Sequence, residues 1–208
     1  MPTIAQAKNW YPSKDPVHGF DHVMRVYMLA EQIAQAEGAD MGIVRAAVLL
    51  HDAQDPDRPR LKRGTHQLAA AAIAQLILVN EGWPAGRISA VEHCIRSHRF
   101  RDPKEPPQTL EAKVLFDADK LDAIGAIGVA RAIAYAASHS QPVYATPSEQ
   151  FLTTGELEPG EPHSAYHEFR FKLVKLKDRL YTETARRIGE QRHFEMVAFF
   201  ETLAREAT

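Results

Sequence analysis

Gly42-Ile43-Val44-Arg45-Ala46-Ala47-Val48-Leu49-Leu50-His51-Asp52 is an apolar run that ends on two polar residues. Read as one helix from Met41 to Asp52, it puts His51 on the stripe of Val44, Ala47 and Val48. Asp52 then lies over Val48 and Leu49. Both polar groups therefore face what the pattern marks as core. A carboxylate buried there without a partner is costly, so it calls for a cation, a strong hydrogen bond or a metal. The adjacent imidazole puts a metal first, and the remaining ligands must come from elsewhere in the chain.

Going outward, the flanking sequence predicts further helices and no strand of convincing alternation. A short helical piece, Thr3 to Trp10, precedes a loop with two prolines, Tyr11 to Pro16. A long helix begins near Phe20, with stripes Val23, Tyr27, Ala30, Ala34 and Val26, Leu29, Ile33, and stops at Gly38. His22 shares the second stripe, with Arg25 three residues on. Beyond Asp52, prolines at 56 and 59 exclude a regular helix. An alanine-rich helix then runs from His66 to about Asn80, and Pro84 opens another from Ala85 to His98. A helix starting at Thr109 passes through Asp119 to Asp122, and its Ala/Ile/Gly continuation to Ser138 reads as buried. Gly125 and Gly128 there permit close backbone approach. Ser140 to Pro162 holds four of the thirteen prolines and shows no period, which predicts a mobile surface loop or lid. Residues 164–206 return to amphipathic helix. The expected fold is all-α, a single domain over 1–208 with its core at about 16–139 and about seven to ten helices.

The bulk numbers bound the function. A chain of 208 residues with 45% hydrophobic and 25% charged residues suits one globular domain. A net charge of −2 gives no electrostatic reason to expect nucleic acid or an acidic membrane as partner. Cys94 is the only cysteine, which excludes an intrachain disulfide and a thiolate zinc site. With no signal-peptide order and no apolar run of membrane-spanning length, a cytoplasmic location is expected.

Four polar residues thus stand on inward stripes of three helices: His22, His51, Asp52 and Asp119. Asp119 lies over Leu115 and Phe116, whereas Asp117 points away from that face. Two imidazoles and two carboxylates suit one divalent ion such as Mn, Mg, Fe, Co, Ni or Zn. A metal so held would lower the pKa of its water and polarise a phosphoryl oxygen. His66 and His98 stand at helix ends, where they would complete a second metal site or simply be exposed or locally bonded. Cys94 has no paired base and reads as a structural thiol.

The order His22, His51-Asp52, Asp119 resembles the signature of the HD superfamily of metal-dependent phosphohydrolases. The likeness extends to the flanks. His18 to Val26 is similar to a His-(Asp/Gly)-x-x-His-x-x-Arg-Val pattern of one bacterial HD subfamily. Asp117 to Gly125 is similar to its Asp-Ala-Asp-(Arg/Lys)-Leu-Asp-Ala-Ile-Gly block, and Phe171-Lys172-Leu173 through Thr182 to Ala185 and Arg192 resemble its C-terminal pattern. The resemblance covers roughly residues 16–205. It implies an all-helical phosphohydrolase of a small phosphorylated substrate, most of all a nucleotide, with nucleoside-triphosphate pyrophosphohydrolysis ranked ahead of 5′-nucleotidase action. It further implies His22, His51, Asp52 and Asp119 as ligands, and Asp55 with Asp52 as the catalytic carboxylates, Asp55 as acid or base beside the attacking water. Arg25, His18, Lys120, Arg60 and Lys62 are the candidate phosphate contacts, although Arg25 has Asp21 as an alternative partner. A metal-stabilised nucleotide-binding or sensor module without turnover is the alternative.

Overall fold

The computed structural model describes residues 1–11, 19–54, 66–99 and 105–208. His18, Asp55, Arg60 and Lys62 lie outside the described residues. The fold is all-α: ten α-helices and three short 3₁₀ turns occur among the described residues, and no strand.

Contacts divide the chain into two units, the first made of residues 1–119 with 181–185. It contains α1 (Ile4–Ala7), α2 (Phe20–Glu37), α3 (Met41–Leu50), α4 (His66–Asn80), α5 (Ala85–Ser97) and most of α6 (Leu110–Leu121). The centre is α3, which packs against α2 and α5. Val44, Ala46, Ala47, Val48, Leu49 and Leu50 are all buried, so the helix with the decisive doublet is apolar nearly all round. Its start is fixed by Asp40, whose carboxylate accepts from the amides of Gly42 (2.9 Å) and Ile43 (3.1 Å) as an N-cap. The same carboxylate takes both arms of Arg87 on α5, at 2.8 and 2.9 Å. Before it, Gly38 ends α2 in a left-handed conformation (φ 77°) that a side chain would strain. Asp117, fully buried on α6, accepts from the amides of Tyr181 (2.9 Å) and Thr182 (2.7 Å) and from the Thr182 hydroxyl (2.7 Å).

The second unit comprises residues 120–180 and 186–208. It contains α7 (Gly125–Ser138), α8 (Glu149–Thr154), α9 (Ala165–Phe171) and most of α10 (Glu183–Glu206). Phe169 stacks on Phe200 with ring centroids 4.5 Å apart. Asp122 is buried and bound by Arg131 at 2.9 Å, so it pairs locally.

Two sequence expectations change here. The helix from Thr109 does not continue unbroken to Ser138: it stops at Leu121, and Gly125 restarts the chain at φ 75°. A Cβ on Gly125 would meet the Arg192 side chain at 3.0 Å, and one on Gly128 would collide with the Ala123 carbonyl. The amphipathic helix expected over 164–206 is present as two helices, α9 and α10, separated by 3₁₀ turns at Leu173–Lys175 and Lys177–Arg179. Finally, the stretch 140–162, read as a mobile loop, contains α8, capped by Ser148 and ended by Gly155 at φ 79°. Six residues make fewer than two turns, too few for a visible period.

That stretch is also tied down. The Glu161 carboxylate accepts from the amides of Ser148 (2.7 Å) and Glu158 (2.7 Å), the Ser148 hydroxyl (2.8 Å) and His167 Nε2 (3.0 Å). His167 is buried, and its Nδ1 meets the Ser164 hydroxyl at 2.7 Å. Burial alone would raise the Glu161 carboxyl; the hydrogen bonds outweigh it and bring it down to about 2. An unfolded-state value of about 4.3 makes the contribution complete at neutral pH and lost as pH falls from there toward the folded value. Glu161→Gln is therefore expected to lower Tm by a few degrees at pH 7, with the gap closing as pH drops through that window. Thermal melts across pH check this, and equal Tm at pH 7 would refute the clasp.

Candidate metal centre

The doublet sits just past the last residue of α3. His51 keeps helical angles (φ −62°, ψ −32°) although the helix proper ends at Leu50, two residues earlier than the sequence suggests. Its Nδ1 donates to the Val48 carbonyl at 2.7 Å, so the proton belongs on Nδ1 and the lone pair on Nε2. His51 Nε2 is buried and has no hydrogen-bond partner, and neither has Asp52 Oδ1.

His22, from the first turn of α2, brings Nε2 to 3.4 Å from Asp119 Oδ1, near the C-terminus of α6. His22 and His51 meet edge to face, with ring centroids 5.7 Å apart. His22, His51 and Asp119 form one group whose donor atoms lie within 4.8 Å of one another. Donors each about 2.1 Å from a tetrahedral ion stand roughly 3.4 Å apart, so the spacing suits coordination.

Asp52 belongs to two neighbourhoods. Its Oδ2 is 3.8 Å from His51 Nε2, while Oδ1 is 3.4 Å from His66 Nε2 and 3.7 Å from His98 Nε2. Asp52, His66 and His98 make a second group of the same kind. His98, just beyond α5, donates from Nδ1 to the Ile95 carbonyl at 2.6 Å, repeating the His51 arrangement and turning Nε2 toward Asp52. The sequence held His66 and His98 open between a second site and local bonding; the structure brings both to Asp52. The only signal for this in the chain was their residue type, since helix-end positions carry no inward periodicity.

Burial grades across the cluster. The side chains of His51, His22 and His98 are 0%, 1% and 4% exposed, against 15% for Asp119, 17% for Asp52 and 33% for His66. The imidazole floor is dry, and the approachable rim is Asp119, Asp52 and His66. Burial would raise the Asp52 carboxyl, but the fields of His51, His98 and His66 in their protonated forms outweigh it and hold it below the usual carboxylate range.

The donor set fits a divalent ion. It offers imidazole nitrogen and carboxylate oxygen, no thiolate, and two orphaned buried atoms that an ion would satisfy. Cys94 is buried, and burial pushes its thiol up to about 12, so it supplies neither ligand nor nucleophile.

The candidate phosphate contacts fare differently. Arg25 donates to Asp21 at 2.7 Å, one helical turn away, the partner the sequence offered as its alternative. Lys120 is buried. His93 is half-buried between Glu105 (2.9 Å) and the Gln108 amide (3.1 Å). Among the described residues no single helix is long and apolar enough to cross a membrane.

A family model for the HD domain matches residues 19–124. The Bacillus subtilis protein YpgQ is 34% identical over 97% of this chain and 92% of its own length. A crystal structure of YpgQ in complex with ADP is similar at a TM-score of 0.71 and 32% identity, covering 98% of this chain and 97% of that one. An HD-superfamily hydrolase from Bacillus thuringiensis gives a TM-score of 0.72 at 28% identity, covering 98% and 93%.

If the first group holds an ion, divalent metal at about 100 times its Kd stabilises the fold by about 2.7 kcal/mol. That corresponds to a rise in Tm of roughly 5–11 °C for a chain of this size. His22→Ala is expected to abolish the rise in thermal melts with Mn(II); a full rise in that variant would sink the assignment.

Proposed function

The chain belongs to the HD domain family, and on that premise we propose that it is a metal-dependent phosphohydrolase acting on a nucleotide. Cleavage of a phosphoanhydride in a nucleoside triphosphate ranks ahead of removal of a monophosphate. The observation that carries the reading is the pair of orphaned buried atoms, His51 Nε2 and Asp52 Oδ1, inside a cluster of imidazoles and carboxylates. Buried polar atoms are satisfied in the great majority of cases, and the imidazoles and carboxylates gathered around this pair favour a cation as the missing partner. Support for a nucleotide comes from YpgQ, whose structure holds ADP.

His22, His51, Asp52 and Asp119 would hold the ion, which when bound supplies Lewis acidity to water and to a phosphoryl oxygen. The protein's own contributions follow from the geometry. The Nδ1 bonds of His51 and His98 to backbone carbonyls fix both tautomers and ring planes before any ligand arrives. The dry floor weakens competition from bulk water and strengthens each charge interaction above it. Asp52, with one oxygen toward each group, spans them, and the exposed edge of His66 marks the side from which a phosphate enters. The chain that carries Asp55, Arg60 and Lys62 leaves from Asp52 and returns at His66, both members of the cluster. That connection supports Asp55 as the residue that manages a proton and Arg60 with Lys62 as phosphate contacts.

The test is a hydrolysis panel of NTPs, dNTPs, NMPs and sugar phosphates on metal-depleted and Mn(II)-restored protein. We expect turnover only with metal, pyrophosphate among the products, and a loss of at least about 100-fold in His51→Ala and Asp52→Ala. Metal-loaded protein inert on every phosphate ester would favour the sensor module instead.

A further inference from the structure

The segment before the family-matched region touches the doublet from outside. The carbonyls at the C-terminus of a helix lack partners within the helix, and here three in a row are satisfied separately. Val48 O accepts from His51 Nδ1, Leu50 O from the Ala53 amide (3.2 Å), and Leu49 O from the Tyr11 hydroxyl (3.1 Å). Tyr11 is the donor from far along the chain, 38 residues away, and the contact is buried. One residue earlier, the Trp10 carbonyl accepts from the Gln54 amide at 2.9 Å. The two bonds straddle His51-Asp52, one before the doublet and one after it. The Asp52 amide also lies against the Tyr11 oxygen.

This hook is itself anchored. Thr3 and Gln6 form a reciprocal capping box on α1, and the Met1 ammonium meets Glu81 at 2.7 Å. Tyr11 packs with Ala7, Val23 and Leu49, with Trp10, Phe20 and Tyr27 around them.

We propose that Tyr11 is a positioning residue for the metal centre, holding the turn after α3 so that His51 Nε2 and Asp52 point into the cluster. His51 and Asp52 lie beyond the last residue of α3, where the helix's own hydrogen bonds no longer fix direction. The Tyr11 hydroxyl and the Trp10 carbonyl supply that direction from a separate part of the chain. Ligands aimed in this way by outer partners bind their ion more tightly, and loss of such a partner weakens affinity by about 10- to 100-fold. The assignment rests on the metal-site reading above.

Metal-depleted full-length protein is titrated with Co(II) alone, in competition with a chromophoric chelator, while the d–d absorption is recorded. Tyr11→Phe keeps the ring and its packing and removes only the hydroxyl. It is expected to bind Co(II) roughly 10- to 100-fold more weakly than wild type, with an altered spectrum. Tyr27→Leu thins the same apolar cluster and leaves both hook bonds in place. It is expected to lose Tm while keeping wild-type affinity and spectrum. Wild-type affinity in Tyr11→Phe overturns the assignment, as does an equal loss in both variants, which would make Tyr11 a packing residue only. Co(II) bound as tightly by His51→Ala as by wild type, or not bound by wild type at all, overturns the metal-site reading and the assignment with it.

Discussion

A buried polar atom without a partner costs on the order of 1–3 kcal/mol, and the end of α3 carries two within two residues. Both atoms are buried, at the end of a helix that is apolar on nearly every side and packed against α2 and α5. The surrounding groups answer that constraint. α2 sends in His22, α6 sends in Asp119, and the ends of α4 and α5 send in His66 and His98. Asp40 and Arg87 fix the other end of α3, so the direction in which the doublet emerges is set at both termini. Six side chains that would each be a liability alone become mutual neighbours, with one ion's charge enough to satisfy several of them.

Much of this was legible in the residues. Stripes, apolar composition and the punctuating Gly38 and Pro84 exposed α2, α3, α4 and α5 to within a residue or two, because each is bounded by residues that end or open helices. The 3.6-residue period put His22 and Asp119 on inward stripes, and the structure sets them 3.4 Å apart. Where the period failed, the cause was local. Gly125 breaks a run of Ala and Ile through its positive φ, which leaves no mark in hydrophobicity. α8 is too short to show a repeat, and the Glu161 clasp that holds its surroundings links residues 13 and 6 apart through caps and side chains rather than through a face. His66 and His98 stayed ambiguous because helix-end residues point wherever the tertiary structure needs them. Tyr11 lay further out of reach: nothing in a tyrosine beside a proline says that its hydroxyl will find a carbonyl 38 residues on.

The grading of exposure gives the cluster a chemical sense of direction. Its floor is imidazole locked by backbone carbonyls, so the most buried donors are also the most rigid. Its rim is carboxylate and His66, groups that can meet water or a phosphate without disturbing the floor. Asp52 joins the two, with one oxygen toward His51 and the other toward His66 and His98.

Asp117 ties α6 to a part of the chain that is made much later. Its carboxylate is satisfied by Tyr181 and Thr182, 64 and 65 residues downstream. At ribosomal rates of about 5–20 residues per second, that interval lasts roughly 3–13 s. During it the nascent chain already contains all six side chains of the cluster, yet the helix bearing Asp119 lacks its anchor. The anchor of the helix that bears Asp119 is thus the last of these parts to be synthesised, supplied by a tyrosine amide and a threonine that lie outside the cluster.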